Sequence, residues 1–176
     1  AIEFAKKGFK VTATDLTPES VGLLRRYKKD FKLKHLNVIQ CRAEKIPLPN
    51  KSVDVIIANA ILEHIPAERQ AIKEWLRLLK PHGVLVITVP LKFRYLWPPL
   101  WIPNYLHDRN IGHLRRYDLA DLKLKFPLEV GDVYYTGNLF KIIGLVLKLE
   151  ALGEQLDSFT TSIPYGANNI MVIFRK

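Results

Sequence analysis

The sequence predicts an α/β fold: a mostly parallel sheet with helices on both faces. Two nearly continuous β-branched runs, Val53 to Ala58 and Val84 to Val89, read as strands buried on both faces. Between them, roughly Ala67 to Leu79 carries apolar residues at helical spacing. Short connections holding Pro and Gly separate these elements. Strand, helix and strand at such spacing require a parallel pairing, with the helix crossing one face.

The remaining elements follow in order. Ala1, Ile2, Phe4 and Ala5 are apolar at helical spacing, Lys6 and Lys7 suit a last turn, and Gly8 suits the residue after it. The chain is thus expected to open inside a helix. Phe9 to Thr14 alternates as a strand and ends at Asp15. Thr17-Pro18-Glu19 starts the next helix, with a hydroxyl N-cap, Pro at the first position and a carboxylate in the first turn. That helix runs to about Asp30. A short strand is expected over Asn37 to Cys41 and a proline-bearing loop over Ile46 to Ser52. Lys80-Pro81-His82-Gly83 stops the helix before Val84.

Pro90 to His113 breaks the rhythm. It is rich in Pro, Trp and Tyr and shows no clean period. A helix near Leu119 to Lys125, a strand near Glu129 to Tyr135, a helix near Leu139 to Leu152 and a last strand at Ile170 to Phe174 complete the order. Without repeats, low-complexity tracts or a linker, residues 1–176 read as one domain. Within it, residues 91–117 are expected to form a lid over a substrate pocket.

Composition narrows the function. Hydrophobic residues make up 48% of 176, enough for a sizeable core. The most apolar stretch, Leu139 to Leu152, is broken by Lys141, Lys148 and Glu150, so no membrane span is expected. The single cysteine, Cys41, excludes an internal disulfide and a cysteine-cluster metal site, and suits a reducing, cytoplasmic compartment. No His or carboxylate cluster has metal-ligand spacing along the chain, so no metal is expected. The formal charge of +10 invites nucleic acid, an anionic surface or an acidic substrate. A Lys-rich solvated surface is the favoured reading of it, and abundant Lys and Glu with one Met resemble the composition of a heat-adapted protein.

In an open parallel sheet, ligands bind beyond the carboxyl ends of the strands. Asp15 ends the first strand, where a carboxylate can accept hydrogen bonds from both hydroxyls of a ribose; a turn residue or auxiliary cap is the alternative. Arg42-Ala43-Glu44 follows the second, where backbone groups could read an adenine edge. Asn59-Ala60 ends the third, where a carbonyl or amide could hold an amino-acid head group. Their joint placement at successive strand ends favours a ligand over three unrelated loops.

Residues 9–90 resemble the class I S-adenosylmethionine-dependent methyltransferases of the type 11 group. The matching segments are FKVTATDLTPESV, CRAEKIPLPNKSVDVIIANAILEHI and WLRLLKPHGVLVITVP. IGHLRRYDLADLK resembles a segment found after the fifth strand of many such enzymes. The resemblance implies a Rossmann-like three-layer αβα sandwich with a terminal antiparallel hairpin, and S-adenosylmethionine as cofactor. It implies that Asp15 binds the ribose, Leu16 packs on the adenine, Ala43 and Glu44 border the adenine, and Asn59 and Ala60 lie near the methionine moiety. The family opens with a strand and a glycine-rich loop that the sequence here lacks, so a leading segment is expected to be missing. Arg42 stands where many relatives carry an acidic residue.

Methyl transfer asks little of side chains, because alignment does much of the work, but an acceptor of high pKa needs a base. His64, His107, Asp108 and His113 are the candidates. Within the lid, Tyr95, Trp97 and Trp101 favour a hydrophobic or aromatic small-molecule substrate, or a lipid-like one at a membrane surface. A lid packed on its own domain or in a homodimer is the alternative. Arg115-Arg116-Tyr117 offers a forked contact for an anionic substrate group, or a salt bridge at a helix entry. The basic segment GLLRRYKKDFKLKH raises an RNA methyltransferase as a second reading. A non-catalytic methyltransferase-like scaffold is the third.

Overall fold

The structure is a computed structural model that describes residues 1–137 and 161–176. It divides into two compact units, Ala1–Pro49 and Asn50–Lys176. The helix expected at Leu139 to Leu152 lies outside the described residues.

In the first unit, α1 (Ile2–Lys6) leads through Gly8, whose φ of 87° only glycine adopts without strain, into β1 (Val11–Asp15). Helix α2 (Pro18–Asp30) connects β1 to β2 (Leu36–Gln40), and the two strands pair in parallel from Val11 opposite Leu36 to Asp15 opposite Gln40. Ala5, Ala13, Leu33 and Leu36 form a small buried core against Ile2, Val11, Leu24 and Val38. One local expectation fails. Thr17 occupies the N-cap of α2, but its side chain caps nothing there. Its hydroxyl donates instead to Asp15 Oδ1 at 2.9 Å, because the carboxylate two residues back is the stronger acceptor.

In the second unit, β3 (Val53–Asn59), β4 (Leu79–Pro90), β6 (Asn169–Arg175) and β5 (Glu129–Thr136) form a sheet in that order. β3 and β4 are parallel; β6 runs antiparallel to both β4 and β5. Helix α3 (Glu68–Leu78) makes the crossover between β3 and β4, burying Ala71, Ile72, Trp75 and Leu78. Leu85, Ile87, Val89, Ile170, Val172 and Phe174 alternate into the same core. Beyond β4 come α4 (Trp101–Ile111) and α5 (Leu119–Lys125). Asp118 and Asp121 close a reciprocal capping box at the start of α5.

Three expectations are corrected here. First, Val55 and Ile57 are each 51% exposed, so β3 is not buried on both faces; among the described strands it is an edge, paired with β4 alone. Second, Lys80 to Gly83 ends α3 as expected but lies within β4 rather than before it. The register jumps from Val53 opposite Leu79 to Val55 opposite Val84, so residues 80–83 bulge outward. The bulge is pinned where the His82 N–H donates to the Lys176 carbonyl at 3.0 Å and the Lys176 N–H donates to the Gly83 carbonyl at 3.0 Å. Third, the stretch from Pro90 to His113 is not irregular throughout, since α4 occupies eleven residues of it. Pro103 sits in the first turn, where a missing N–H leaves no helical bond unmade. Gly112, at φ 75°, closes the helix.

Candidate functional site

Two groups of predicted residues can be placed, one in each unit. In the first, Asp15 stands at the carboxyl end of β1. Its Oδ1 accepts from the Thr17 backbone N–H (2.8 Å) and hydroxyl (2.9 Å). These two bonds fix the carboxylate and leave Oδ2 without a partner among the described residues. Leu16 follows with 56% of its surface exposed, a large apolar side chain beside a fixed carboxylate. Arg42 and Glu44 form an ion pair at 2.7 Å across Ala43, and Gln40 donates to the Leu16 carbonyl at 3.1 Å.

In the second unit, Asn59 ends β3 and is exposed. Ala60 follows at φ 49°, held there by a bond from its N–H to the Thr88 carbonyl (2.9 Å). A left-handed alanine costs about 1–2 kcal/mol, and such residues persist where surrounding structure dictates them. The turn aims the chain into a short 3-10 helix, Leu62–His64, whose Glu63 is fully buried.

The segment 113–118 runs alongside. Tyr117 exchanges backbone bonds with Pro90 and Lys92, and the Leu114 N–H bonds the Glu63 carbonyl at 2.9 Å. That pairing brings residues fifty apart in sequence together. The rings of His64 and His113 meet edge-on with centroids 4.8 Å apart, and His107 lies 6.4 Å from His113. His64 Nδ1 lies 3.2 Å from the Gly112 carbonyl and His113 Nδ1 lies 2.8 Å from Asp108 Oδ1. Both partners can only accept, so both Nδ1 atoms carry a proton, and in a neutral ring Nε2 is then the atom with the lone pair. His113 Nε2 lies 3.7 Å from Glu63 Oε1.

Burial pushes the Glu63 carboxyl above the usual carboxylate range, against the pull of the nearby His113 and His64. Asp108 moves the other way. Burial works to raise it, but hydrogen bonds from Arg116 and His113 outweigh that and hold it low.

The proposed substrate residues separate. Arg116 is 7% exposed at its side chain and its fork grips Asp108 at 2.6 and 2.9 Å, with further bonds to the Leu91 carbonyl (2.9 Å) and Asn104 (3.2 Å). Arg115 bonds the Ile65 carbonyl (2.8 Å) and lies 3.3 Å from Glu68. Tyr117 is buried and its hydroxyl donates to Glu68 at 2.8 Å. This is the geometry of the salt-bridge alternative at a helix entry. Trp97 and Trp101 remain 49% and 45% exposed, and Tyr95 is half-buried with its ring 6.0 Å from that of Tyr165.

Residues 1–87 match the family model described as a methyltransferase domain. The chain belongs to that family, the class I type 11 methyltransferases. The match begins in the first unit and runs into the second. A ubiquinone biosynthesis O-methyltransferase of Rickettsia conorii is 27% identical over 146 residues, 76% of this chain and 50% of that protein. A ubiquinone/menaquinone biosynthesis C-methyltransferase of Nitrosospira multiformis is 36% identical over 119 residues, 68% of this chain and 42% of that one. The chain spans about half the length of the curated relatives it matches. A solved S-adenosylmethionine-dependent methyltransferase from Archaeoglobus fulgidus superposes with a TM-score of 0.69 at 16% identity, covering 99% of this chain and 80% of its own. The methyltransferase fold is therefore Rossmann-like α/β.

Glu63 is the residue that sequence reasoning missed. The Leu-Glu-His segment pointed to His64, but nothing in a linear reading pairs Glu63 with His113.

Proposed function

We propose that this methyltransferase chain transfers a methyl group from S-adenosylmethionine to a small, hydrophobic, aromatic acceptor of the quinone-precursor type. The carrying observation is Asp15. Its carboxylate is locked at the end of a parallel strand by Thr17, with one oxygen left over, beside the exposed Leu16. That donor set suits a ribose diol and an adenine face, so the residues present fit the cofactor. Ala43 and Glu44, in the same unit, are its further proposed contacts. When bound, the cofactor supplies a methyl group already activated on a sulfonium.

The chain's own residues do the rest. Residues 1–176 are read as one domain, a reading that the family match supports over residues 1–87, with 91–117 as a lid over the acceptor. Tyr95, Trp97 and Trp101 line that lid and exclude water. Arg115, Arg116 and Tyr117 anchor it through Glu68 and Asp108. The His64–His113 pair, with His107 nearby, takes up the acceptor proton; Asp108 holds the His113 tautomer that leaves Nε2 basic. The names of the relatives support a quinone-type acceptor. Among the described residues no helix is long and apolar enough to cross a membrane.

Calorimetric titration with S-adenosylmethionine, and tritiated methyl transfer to catechol and hydroquinone acceptors, test the reading. Asp15→Ala removes hydrogen bonds to a charged acceptor worth about 1.5–3 kcal/mol, so cofactor affinity should fall roughly 10- to 100-fold. Unchanged affinity in Asp15→Ala would sink the assignment.

A further inference from the structure

We infer that Glu63, His64 and His113 form a binding site for one divalent first-row transition-metal ion, coordinated by two imidazole nitrogens and a carboxylate. The inference concerns binding and does not depend on the methyl-transfer reading.

Three observations converge. One ligand atom from each of the three residues can be chosen so that all lie within 4.8 Å of one another. Tetrahedral ligands about 2.1 Å from a shared zinc ion sit about 3.4 Å apart, so the three side chains must close by up to about 1.4 Å to bind it, a movement within reach of side-chain rotation. Next, both oxygens of Glu63 are buried and have no hydrogen-bond partner, while the residue itself is 0% exposed. A buried carboxylate without partners is expensive, and a cation is the group that satisfies both oxygens at once.

The third observation is the orientation of the imidazoles. Each Nδ1–H is tied to an outer acceptor, His64 to the Gly112 carbonyl and His113 to the Asp108 carboxylate. Metal-ligating histidines are held in this way: the far nitrogen donates to a carbonyl or carboxylate, which fixes the tautomer and turns Nε2 to the ion. The Arg116 fork holds Asp108 in turn, so the outer layer is itself supported. A histidine pair that merely packed in a core would not need both rings fixed through Nδ1 around an orphaned carboxylate.

The donor set selects the class of ion. Two nitrogens and one carboxylate suit zinc, cobalt, nickel or iron(II); magnesium and calcium prefer all-oxygen sets. Three protein ligands leave a coordination position open, as in catalytic rather than structural zinc sites. With the ion bound, the Nε2 lone pairs would go to it and no longer accept a proton; the ion's positive charge, in place of the imidazole base, would favour the anion of an acceptor hydroxyl at the open position.

The test uses the full chain without a polyhistidine tag, stripped of metal with a chelator and titrated with cobalt(II) alone. The expected result is a visible ligand-field absorption that saturates at one equivalent and is displaced by zinc(II). His64→Ala and His113→Ala should each lower cobalt affinity at least tenfold, and Asp108→Asn, which acts through His113, about 10- to 100-fold. His35→Ala should leave it unchanged. Circular dichroism of each metal-free variant separates loss of a ligand from loss of fold; should His113→Ala unfold, the half-buried His64 carries the test. No saturation at one equivalent, as when Glu63 holds a proton instead, overturns the proposal. So does full affinity in folded His64→Ala. The readout is binding, so an inactive methyltransferase with a normal cobalt spectrum would separate the two ideas.

Discussion

Replacing Arg116 with Met leaves the Asp108 carboxylate buried with His113 as its one remaining side-chain partner among the described residues. The wild-type pair is nearly closed to solvent, with side-chain exposures of 7% and 11%, and it is bidentate. Breaking such a pair from one side costs about 3–5 kcal/mol, because the surviving charge stays desolvated. Arg116 also loses its bonds to the Leu91 carbonyl and Asn104, each worth about 0.5–1.5 kcal/mol, and these fall within that range rather than adding to it. Asp108→Leu should cost a similar amount by stranding the guanidinium. The double variant is the informative one. With both charges gone, the penalty of the unpaired partner disappears, and the pair of substitutions should cost less than either alone. Urea unfolding of the four proteins, followed by tryptophan fluorescence, gives the coupling energy, which should exceed about 2 kcal/mol. Additive losses would refute the claim that the fork neutralises a buried charge.

Four further outcomes are expected. Asp118 is buried, which works to raise its pKa, but the Asp121 N–H together with Lys92 and Arg94 holds it low. Its contribution is therefore full above the unfolded carboxylate value of about 3.9 and is lost as pH falls through the lower folded value, so Asp118→Asn should destabilise at neutral pH and matter progressively less as the pH is lowered in acid titrations of stability. Ile87 is fully buried and Val55 half-exposed on the neighbouring strand; Ile87→Ala should cost about 2–5 kcal/mol and Val55→Ala under about 1 kcal/mol by urea unfolding. Gly112→Ala forces a side chain into φ 75° and should cost about 1–2 kcal/mol, read as a lower thermal midpoint. Ala60→Gly removes a comparable strain at φ 49° but frees the unfolded chain, so its midpoint should move by less than that of Gly112→Ala.

Much of this fold was legible in the sequence, and the exceptions have physical causes. Val84 to Val89 and α3 announce themselves because their buried residues are apolar and recur at the period of the element, and α5 through the Asp118 cap at its start. Helix α4 does not. Asn104 and Asp108 face the Arg116 guanidinium, while Ile102, Tyr105 and Leu106 stay exposed. The hydrophobic pattern of α4 thus follows the solvent side, and a search for an apolar stripe finds no period. Val55 and Ile57 mislead in the opposite sense, since a β-branched run reads as doubly buried whether or not anything covers it. In the candidate site, Asp15 was legible because a strand-end carboxylate is a local feature. The Glu63–His113 meeting was not, because it arises only when the backbone of Leu114 pairs with Glu63 across fifty residues.

The inward polar face of α4 has a consequence for how this region forms and opens. Apolar contacts draw elements together early and without direction, whereas the Asp108–Arg116 fork can close only once both strands of backbone are already in register. Helix α4 should therefore be among the last pieces to dock and the first to leave, opening in a unit separate from the β4–β6 core. In hydrogen exchange its amides should fall into a fast class well before the strands exchange, with that class sensitive to salt where the core is not.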